Sequence, residues 1–422
     1  MRDPVIRKDD IDMTEKPGNI AEDTEVKDSI TEHLNHKKIL IWGYGREGKS
    51  TERFLARNCP DSRVDIFEGK KEEIREEEYD YIIKSPGIVM LENDPKYISQ
   101  TEIFLKAYRD QVIGITGTKG KSTTSAMIYH ALRHLSDRKV IFLGNIGEPC
   151  LDHYEEITKD TVVVFEMSCH QLANVDVSPH IALFLNLFEE HLDYYGTVER
   201  YFGAKANITK FQNASDLFYA GDNVPPICTA AKTKVIRRDV VRNYDLPIYG
   251  EHNLYNAEFV ITIIRDSFGF SEEEILKALQ DFKGLPHRLE YIGEKDGIAF
   301  YDDSISTIPQ AAIQAALSLP RVKTILIGGM DRGVDYDVLE KFIREHVEYN
   351  YIFSYESGRR IYEAVGEGKG RFFAEDLEAA VRLAKQITPA GSACVLSPAA
   401  ASYGYFKNFE HRGDMFRQYV GI

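Results

Sequence analysis

Short apolar runs alternate with mixed polar and apolar stretches along most of the chain. From Lys38, the run KILIW is followed by the glycine turn GYGREG, a mixed stretch, and further apolar runs in VDIFEG and YDYIIKSPGI. Apolar runs of about four to eight residues bounded by turns predict buried strands, and the order strand–helix–strand predicts a parallel sheet. We therefore predict a small α/β domain over residues 38–108.

The same alternation continues through the rest of the chain. QVIGIT, KVIFLGNIG, TVVVFEMS and IALFLNL predict the strands of a second α/β unit over residues 109–284. GIAFYDDS, TILIGG, YIFSYE and SACVLSP predict those of a third unit over residues 285–422. Several of these runs end in polar residues, and ligands of open α/β sheets bind beyond the carboxyl ends of the strands.

Composition argues against several classes of protein. The 67 Asp and Glu residues outnumber the 52 Lys and Arg residues, and the net charge of −15 argues against a nucleic-acid-binding protein. No apolar run approaches the length of a membrane span, so we expect no membrane insertion. The five cysteines are scattered without C-x-x-C pairs, which favours the reducing cytoplasm. Residues 1–37 are polar, lack the apolar segment of a signal peptide, and are interpreted as a loose tail.

The segment GITGTKGKSTTSAMIYHAL (residues 114–132) has the pattern of a phosphate-binding loop. A strand precedes it and a helical stretch follows, so backbone N–H groups and the helix N-terminus would face phosphate oxygens. Ile115 replaces the first glycine of the longer G-x-x-x-x-G-K-S pattern, so the match is to a shorter G-T-x-G-K-S form. The alternative is a glycine turn before an ordinary helix. We predict a P-loop ATPase-type central domain whose ATP-binding residues include Gly117, Thr118, Lys119, Gly120, Lys121, Ser122 and Thr123.

A second glycine pattern, GYGREG, places Gly43, Gly45 and Gly48 between a strand and a helix. Its G-x-G-x-x-G spacing is that of dinucleotide-binding folds, so we predict a Rossmann-like N-terminal domain, and the strand–helix alternation predicts a Rossmann-like C-terminal domain. Three interpretations of the glycines stay open. They bind a dinucleotide, they allow tight packing of the strand on the helix, or they cradle a diphosphate that belongs to the substrate.

Six further motifs follow the phosphate loop in a fixed order: FEMSCHQL, FEEHLDYYGTVERYFGAKANI, GEHNLYNAEF, GLPHRLE, YDDSIST and SPAAASYGYFKNFEHRGDMF. Together, from about residue 38 to the end of the chain, they resemble the Mur ligases of bacterial cell-wall synthesis. The combination of SPGI, GLPHR and SPAAAS with FKNFEHRG is most similar to the members that add glutamate.

This resemblance implies a three-domain, ATP-dependent acid–amino-acid ligase that forms ADP. The first domain would bind a UDP-sugar, the second ATP, and the third the incoming amino acid. The implied substrates are UDP-N-acetylmuramoyl-L-alanine and D-glutamate, joined through an acyl phosphate during peptidoglycan precursor synthesis by a monomeric enzyme. The alternatives are L-glutamate or another amino acid, a folate- or cyanophycin-type ligase, a non-catalytic nucleotide-binding subunit related to the Mur ligases, and, from GYGREG alone, an oxidoreductase.

The resemblance also implies the catalytic groups and a magnesium site. Lys121 would reach the outer phosphates, and Ser122, Glu166, His191 and Lys205 would hold Mg²⁺. An ammonium repels a cation, so the family match requires Lys205 to be carbamylated, which turns its positive charge into a negative one. From the residues alone, an exposed helix lysine is the favoured interpretation of Lys205, and a solvated loop histidine is an alternative for His191.

Further binding residues follow from the same match. Those expected at the nucleotide are Asn256, Arg288 and Asp303. Those expected at the substrates are Gly45, Ser85, Pro86, Gly87, Asn145, Thr307, Arg332, Ser402 and Phe409. The structural alternatives are a helix cap for Asn256, a surface salt bridge for Arg288, a plain turn at residues 85–87 and a core aromatic for Phe409.

One position departs from the family pattern. Where the family has Asp-Ser-Lys, this chain has Asp303-Ser304-Ile305. Isoleucine neither ionises nor donates a hydrogen bond from its side chain. Lys119 or Lys283 would have to supply the missing charge. Because the change falls near the amino-acid end of the site, it leaves the handedness of the added amino acid open.

Overall fold

Three α/β sheets make up the described part of the chain in the computed structural model, which describes residues 30–90, 94–144, 148–242, 244–248 and 250–422. The predicted α/β fold class is thereby confirmed. None of the helices formed by these residues combines the length and apolar character that crossing a bilayer requires.

The first sheet has four parallel strands in the order β2-β1-β3-β4. Its elements are β1 (Lys38–Trp42), α1 (Arg46–Asn58), β2 (Arg63–Phe67), β3 (Tyr81–Lys84), β4 (Tyr97–Ile98) and α2 (Gln100–Tyr108). The central position of β1 buries its apolar run, and the glycine turn follows at its carboxyl end. Residues 30–34 are helical and bury Leu34 in the adjoining core, within the segment interpreted as a tail.

The second sheet has six parallel strands in the order β10-β9-β8-β5-β7-β6. Its strands are β5 (Val112–Thr116), β6 (Val140–Gly144), β7 (Val162–Glu166), β8 (Ile181–Phe184), β9 (Leu217–Gly221) and β10 (Lys232–Ile236). Its helices are α3 (Lys121–Leu135), α4 (Cys169–Leu172), α5 (Leu192–Tyr195), α6 (Val198–Lys210), α7 (Glu251–Phe268) and α8 (Glu272–Leu279). Strands β7 and β6 lie on one side of β5, and the later strands β8, β9 and β10 lie on the other. Doubly wound sheets bind ligands at such a switch point.

The third sheet has the order β11-β12-β16-β13-β14-β15, with β11 antiparallel to its neighbour. Its strands are β11 (Glu290–Lys295), β12 (Ile298–Asp302), β13 (Val322–Ile327), β14 (Asn350–Ser354), β15 (Arg371–Ala374) and β16 (Ala393–Leu396). Its helices are α9 (Pro309–Ser318), α10 (Asp337–Glu345), α11 (Tyr355–Val365), α12 (Leu377–Ile387) and α13 (Phe409–Val420).

The first and second sheets share one apolar core. Phe54 of α1 packs edge-on against Tyr154, with ring centroids 4.8 Å apart, and Phe104 of α2 packs edge-on against Phe165 at 5.7 Å. Edge-to-face pairs of this kind add to the free energy of apolar burial. The first two units therefore pack as one body, and the exact domain boundaries stay a prediction.

Candidate active site

The phosphate loop joins β5 to α3 as the sequence predicts. Gly120 is the N-cap of α3, has a φ of +83° and provides no side-chain cap, so the N–H groups of the first helical turn are left for a ligand. A Cβ built on Gly120 would lie 2.6 Å from the Asn256 side-chain oxygen. This loop is therefore shaped to receive phosphate, and an ordinary turn does not explain its close approach to Asn256.

Asn186 braces the loop from the end of β8. Its side-chain oxygen accepts a hydrogen bond from the Lys119 N–H at 2.9 Å, and its amide nitrogen donates to the Lys119 carbonyl at 2.9 Å. Next to it, the Thr118 hydroxyl oxygen accepts a bond from the Phe188 N–H at 3.0 Å. Sequence reasoning missed Asn186. The available signal was a polar residue directly after a buried strand beside β5.

Two ammonium groups converge on one carbonyl oxygen of the loop. Lys121 Nζ donates to the Gly117 oxygen at 2.9 Å, and Lys205 Nζ donates to the same oxygen at 2.8 Å. Burial lowers the pKa of both lysines, that of Lys205 to about 7, and the charge of Lys121 contributes to the lowering at Lys205. Lys205 is only 1% exposed, so its interpretation as an exposed helix lysine is wrong.

The predicted oxygen ligands lie at the same loop. Glu166 ends β7, pairs in register with Ile115 of β5 and is fully buried. Ser122 is the second residue of α3 and is 9% exposed. Both offer the hard oxygen atoms that Mg²⁺ prefers. The negative charge of Glu166 also acts on Lys121 and Lys205, where it partly opposes the effect of burial on the pKa.

His191 and Lys205 both lie near the ring of Tyr201. The His191 ring centroid is 5.9 Å from that of Tyr201, and Lys205 Nζ is 4.8 Å from the latter. His191 is exposed and has a φ of +57°. Its ligand atom groups with those of Cys169 and His170, all within 4.8 Å of one another. The sequence analysis did not foresee this cluster.

Asn256 lies inside α7, whose N-cap is Gly250. The alternative interpretation of Asn256 as a helix cap is therefore wrong. Its side-chain nitrogen donates to the Asn253 side-chain oxygen at 3.2 Å, which fixes the amide against the phosphate loop.

Asp303 and Arg288, which are predicted to contact the nucleotide, lie in the third unit near its sheet. Asp303 is buried, accepts bonds from the Ser397 hydroxyl at 2.7 Å and the Leu289 N–H at 3.2 Å, and has its pKa raised to about 7 by burial. The charge of Arg288 opposes that rise. The buried Nε of Arg288 finds no hydrogen-bond acceptor among the described residues, which is unlike a surface salt bridge. An unpaired buried donor fits an anionic ligand.

In the first unit, the turn at residues 85–87 lies against the glycine turn. Ser85 Oγ donates to the Gly43 carbonyl at 2.8 Å, and the Tyr194 hydroxyl donates to the Ile88 carbonyl at 2.8 Å. A Cβ built on Gly45 or Gly87 would contact nothing within 4 Å, so space is open above both. The predicted residue Asn145 lies outside the described residues.

A buried lysine beside this turn, with a half-buried glutamate nearby, was not predicted. Lys84 is 4% exposed and has its pKa lowered to about 8 by burial, while the nearby charge of Glu47 opposes the lowering. Gln171 of α4 donates to Glu47 at 3.0 Å and so connects the first unit to the second. A lysine at the end of an apolar strand, directly before SPGI, was the available signal.

Arg412 joins the motif YDDSIST to the motif that begins SPAAAS, and sequence reasoning also missed it. Its Nη2 donates to the Ser304 carbonyl at 2.7 Å and to the Ala400 carbonyl at 3.0 Å, and its Nε donates to Ser304 Oγ at 3.0 Å. Ser304 Oγ in turn donates to the Phe409 carbonyl at 2.8 Å. This network holds the loop that carries Ser402 beside YDDSIST, and the signal was an arginine inside FEHRG.

The remaining predicted residues differ in exposure. Ser402 is buried and Phe409 is half-buried, so Phe409 is not a fully buried core aromatic. Thr307 and Arg332 are exposed, and neither side chain forms a hydrogen bond within the described ranges. In the part of the chain that the structure describes, no hydrogen bond joins either of them to Ser402.

The position that departs from the family pattern is half-buried. Ile305 donates its backbone N–H to the His287 carbonyl at 3.1 Å. Lys119 pairs with Glu190 at 2.7 Å, and Lys283 is exposed. Compensation for the missing lysine by either residue stays a prediction.

Comparisons with known proteins show which family the chain resembles. The Mur ligase middle domain family matches residues 115–234. The UDP-N-acetylmuramoylalanine--D-glutamate ligase of Aquifex aeolicus is 30% identical over 417 residues, which cover 91% of this chain and 99% of that protein. The UDP-N-acetylmuramoyl-L-alanine--L-glutamate ligase of a Micromonospora species is 32% identical over 445 residues, which cover 92% and 97%.

Solved structures share the fold. The chain resembles the UDP-N-acetylmuramate-alanine ligase MurC of Thermotoga maritima with a TM-score of 0.57 and 20% identity, over 91% of this chain and 99% of that one. The chain is similar to its relatives along nearly its whole length. At the switch point of the second sheet it has a phosphate loop, two lysines that donate to one loop carbonyl, and a buried glutamate. The chain therefore belongs to the Mur ligase family of ATP-dependent, ADP-forming amide ligases.

Proposed function

We propose that this ligase joins glutamate to UDP-N-acetylmuramoyl-L-alanine in peptidoglycan precursor synthesis, with D-glutamate as the amino acid. The observation that carries the proposal is the cluster of Lys121, Lys205 and Glu166 around the phosphate loop. The Aquifex relative, similar from end to end, acts by its name on these substrates.

The reaction has two balanced steps. An oxygen of the alanyl carboxylate attacks the γ-phosphorus of ATP, the bond to the β-phosphate oxygen breaks, and ADP leaves. The glutamate amine then attacks the acyl carbon of the resulting acyl phosphate, loses a proton, and inorganic phosphate leaves. Two carboxylates and a triphosphate bring much negative charge together, so cationic side chains are needed to stabilise it.

The residues of the phosphate loop suit the first step. The free N–H groups after Gly120 would hold phosphate oxygens, and Lys121 would exchange its bond to the Gly117 carbonyl for a bond to the outer phosphate. The unpaired Nε of Arg288 would contact the nucleotide from the third unit. Asn256 would position the loop against the nucleotide.

A magnesium site fits the donor atoms once Lys205 is modified. Ser122, Glu166, His191 and carbamylated Lys205 would hold Mg²⁺, which when bound would neutralise charge on the phosphates. Carbamylation requires a neutral amine, which adds to CO₂ and releases a proton. The lowered pKa of Lys205 supplies that neutral amine near neutral pH. Conversion of the second ammonium to an anion would also remove its repulsion of Lys121.

The proposed substrate residues come from all three units. Gly45, Ser85, Pro86 and Gly87, with Asn145 from the second unit, would bind the UDP-sugar. Thr307, Arg332, Ser402 and Phe409 would bind the glutamate, with Arg332 as the cation for a side-chain carboxylate. We propose a monomer, because both substrate regions and the ATP loop lie on one chain.

L-glutamate is the second candidate substrate. The Micromonospora relative acts on L-glutamate by its name, at a similarity comparable to that of the D-glutamate relatives. The absence of the family lysine at Ile305 also falls near the amino-acid end of the site.

The experiment measures phosphate release with UDP-N-acetylmuramoyl-L-alanine, ATP and Mg²⁺, with D-glutamate and L-glutamate in parallel. Release with D-glutamate alone supports the first proposal. Release with L-glutamate alone replaces it with the second. Release with neither contradicts the proposed substrate pair.

A further inference from the structure

A cluster of two histidines and an aspartate lies far from the phosphate loop, at the opposite end of α3. His130 and His134 are one turn apart on this helix, so their side chains lie on the same face. Asp281 faces them from the segment directly after α8. One ligand atom from each of the three lies within 4.8 Å of the other two.

The distances between these ligand atoms are close to those between atoms that bind one metal ion. Asp281 Oδ1 is 2.9 Å from His130 Nε2, and Asp281 Oδ2 is 3.9 Å from His134 Nε2. Two ligand atoms that are each about 2.1 Å from one ion stand about 3.0 to 3.4 Å apart. The observed separations lie on either side of that range, so small side-chain rotations would bring all three atoms to one ion.

The hydrogen bond of His134 favours the tautomer whose Nε2 can bind a metal ion. Its Nδ1 lies 2.8 Å from the His130 carbonyl oxygen, which can only accept, so Nδ1 carries the hydrogen. In the neutral ring, Nε2 then has a free lone pair, and it is the atom that faces Asp281. Metal-binding histidines commonly donate their other N–H to a carbonyl in this way.

Exposure leaves room for the ion and for water ligands. The side chains of His130, His134 and Asp281 are 23%, 48% and 67% exposed. Two imidazoles and one carboxylate suit zinc, nickel or copper, whereas Mg²⁺ prefers oxygen ligands alone.

We propose that His130, His134 and Asp281 form a binding site for a divalent transition-metal ion, separate from the ATP site. Residues 130 and 134 lie about 13 to 20 Å along the helix axis from Lys121, at which α3 begins. The ion would join the last turn of the phosphate-loop helix to the segment that leads, through Gly284, into the third unit. Neither the proposed reaction nor its Mg²⁺ uses this site.

The test is calorimetric titration of the full chain, without an affinity tag, with Zn²⁺ in excess Mg²⁺. His134→Ala, His134→Gln and Asp281→Asn should each weaken binding by about tenfold or more. The matched control is His346→Ala, because His346 is a partly exposed histidine paired with one carboxylate, Glu348, at 2.8 Å. That variant should bind Zn²⁺ as the wild type does.

A second variant separates this site from the Cys169, His170 and His191 cluster. Cys169→Ser should retain Zn²⁺ binding. In thermal unfolding, Zn²⁺ should raise the unfolding temperature of the wild type but not of His134→Ala, because an ion that binds only the folded state stabilises it. No Zn²⁺ binding to the wild type, equal binding to His134→Ala, or loss of binding in Cys169→Ser alone would each overturn the proposal.

Discussion

The Lys205 ammonium nitrogen lies 2.8 Å from the Gly117 carbonyl oxygen, inside the loop that is proposed to bind ATP. Its pKa of about 7 means that about nine in ten molecules have a neutral amine at about pH 8. An exposed lysine of ordinary pKa would be neutral in under about one in a hundred. Lys205 is therefore the lysine most ready to react with CO₂ among those discussed.

We predict a carbamate at Lys205. With ¹³C-labelled bicarbonate, NMR of the wild type should show a carbamate signal that Lys205→Ala lacks, and kcat of the variant should fall by about a hundredfold or more. Lys210→Ala is the control, because Lys210 ends the same helix in an exposed position. A signal that persists in Lys205→Ala would contradict the assignment.

Replacement of Gly120 tests the close approach of the phosphate loop to α7. Alanine at a φ of +83° costs about 1 to 2 kcal/mol, and its Cβ would displace the Asn256 amide. Gly120→Ala should weaken ATP binding by about tenfold or more in calorimetry. Gly269→Ala has nearly the same φ, +76°, with nothing within 4 Å of the added Cβ, so it should lose stability but retain ATP binding.

Asp303 gives a pH dependence of stability. Its pKa is about 7 in the folded chain and about 4 when unfolded, so from about pH 4 to 7 the folded state holds a proton that the unfolded state has lost. The free energy of unfolding of the wild type should therefore fall, relative to Asp303→Asn, by roughly 2 to 4 kcal/mol as the pH rises through this window.

Urea unfolding at several pH values measures this difference. Asp331→Asn is the control of opposite sign, because a hydrogen bond from Arg360 lowers the pKa of Asp331. Its stabilising effect is complete above the unfolded pKa, so the difference from wild type should stay constant above about pH 5. A constant difference for Asp303→Asn as well would contradict the assigned pKa.

Arg412 should be needed for the stability of the third unit. Lysine cannot reproduce its fork, so Arg412→Lys would leave the buried carbonyls of Ser304 and Ala400 without donors, at a cost of roughly 2 to 5 kcal/mol. Arg417→Lys, on the same helix, changes a partly exposed pair with Glu290 and should cost under about 1 kcal/mol. Chemical denaturation of both variants measures the difference.

The missing family lysine at Ile305 gives a further prediction. If Lys119 or Lys283 supplies the charge, its replacement by alanine should greatly reduce turnover at saturating substrate. Glu190 pairs with Lys119 and so competes for its charge. Glu190→Gln should therefore change turnover only if Lys119 is the lysine that supplies the charge. Unchanged turnover in both lysine variants would show that the substitution is tolerated without compensation.

Local pattern was enough to predict the three α/β units, most of their strands and the phosphate loop, because apolar runs and glycine turns consist of consecutive residues. Burial of Lys205 was not predictable in this way, since an isolated lysine on a helix favours exposure and only the packing of α6 against the loop reverses that preference. Only the family resemblance predicted that Lys205 lies in the active site. Arg412 and Asn186 were missed because their partners are distant in sequence. The strands β4, β9, β10, β11 and β15 were not predicted either.

The core shared by the first two sheets has a consequence for synthesis of the chain. Phe54 and Phe104 belong to the first unit, but their ring partners Tyr154 and Phe165 belong to the second. A nascent chain that has emerged only as far as residue 108 therefore presents an uncovered apolar face to the cell. That face is covered only when β7 emerges. We therefore expect the two units to fold together, and the chain to be most prone to aggregation before β7 has emerged.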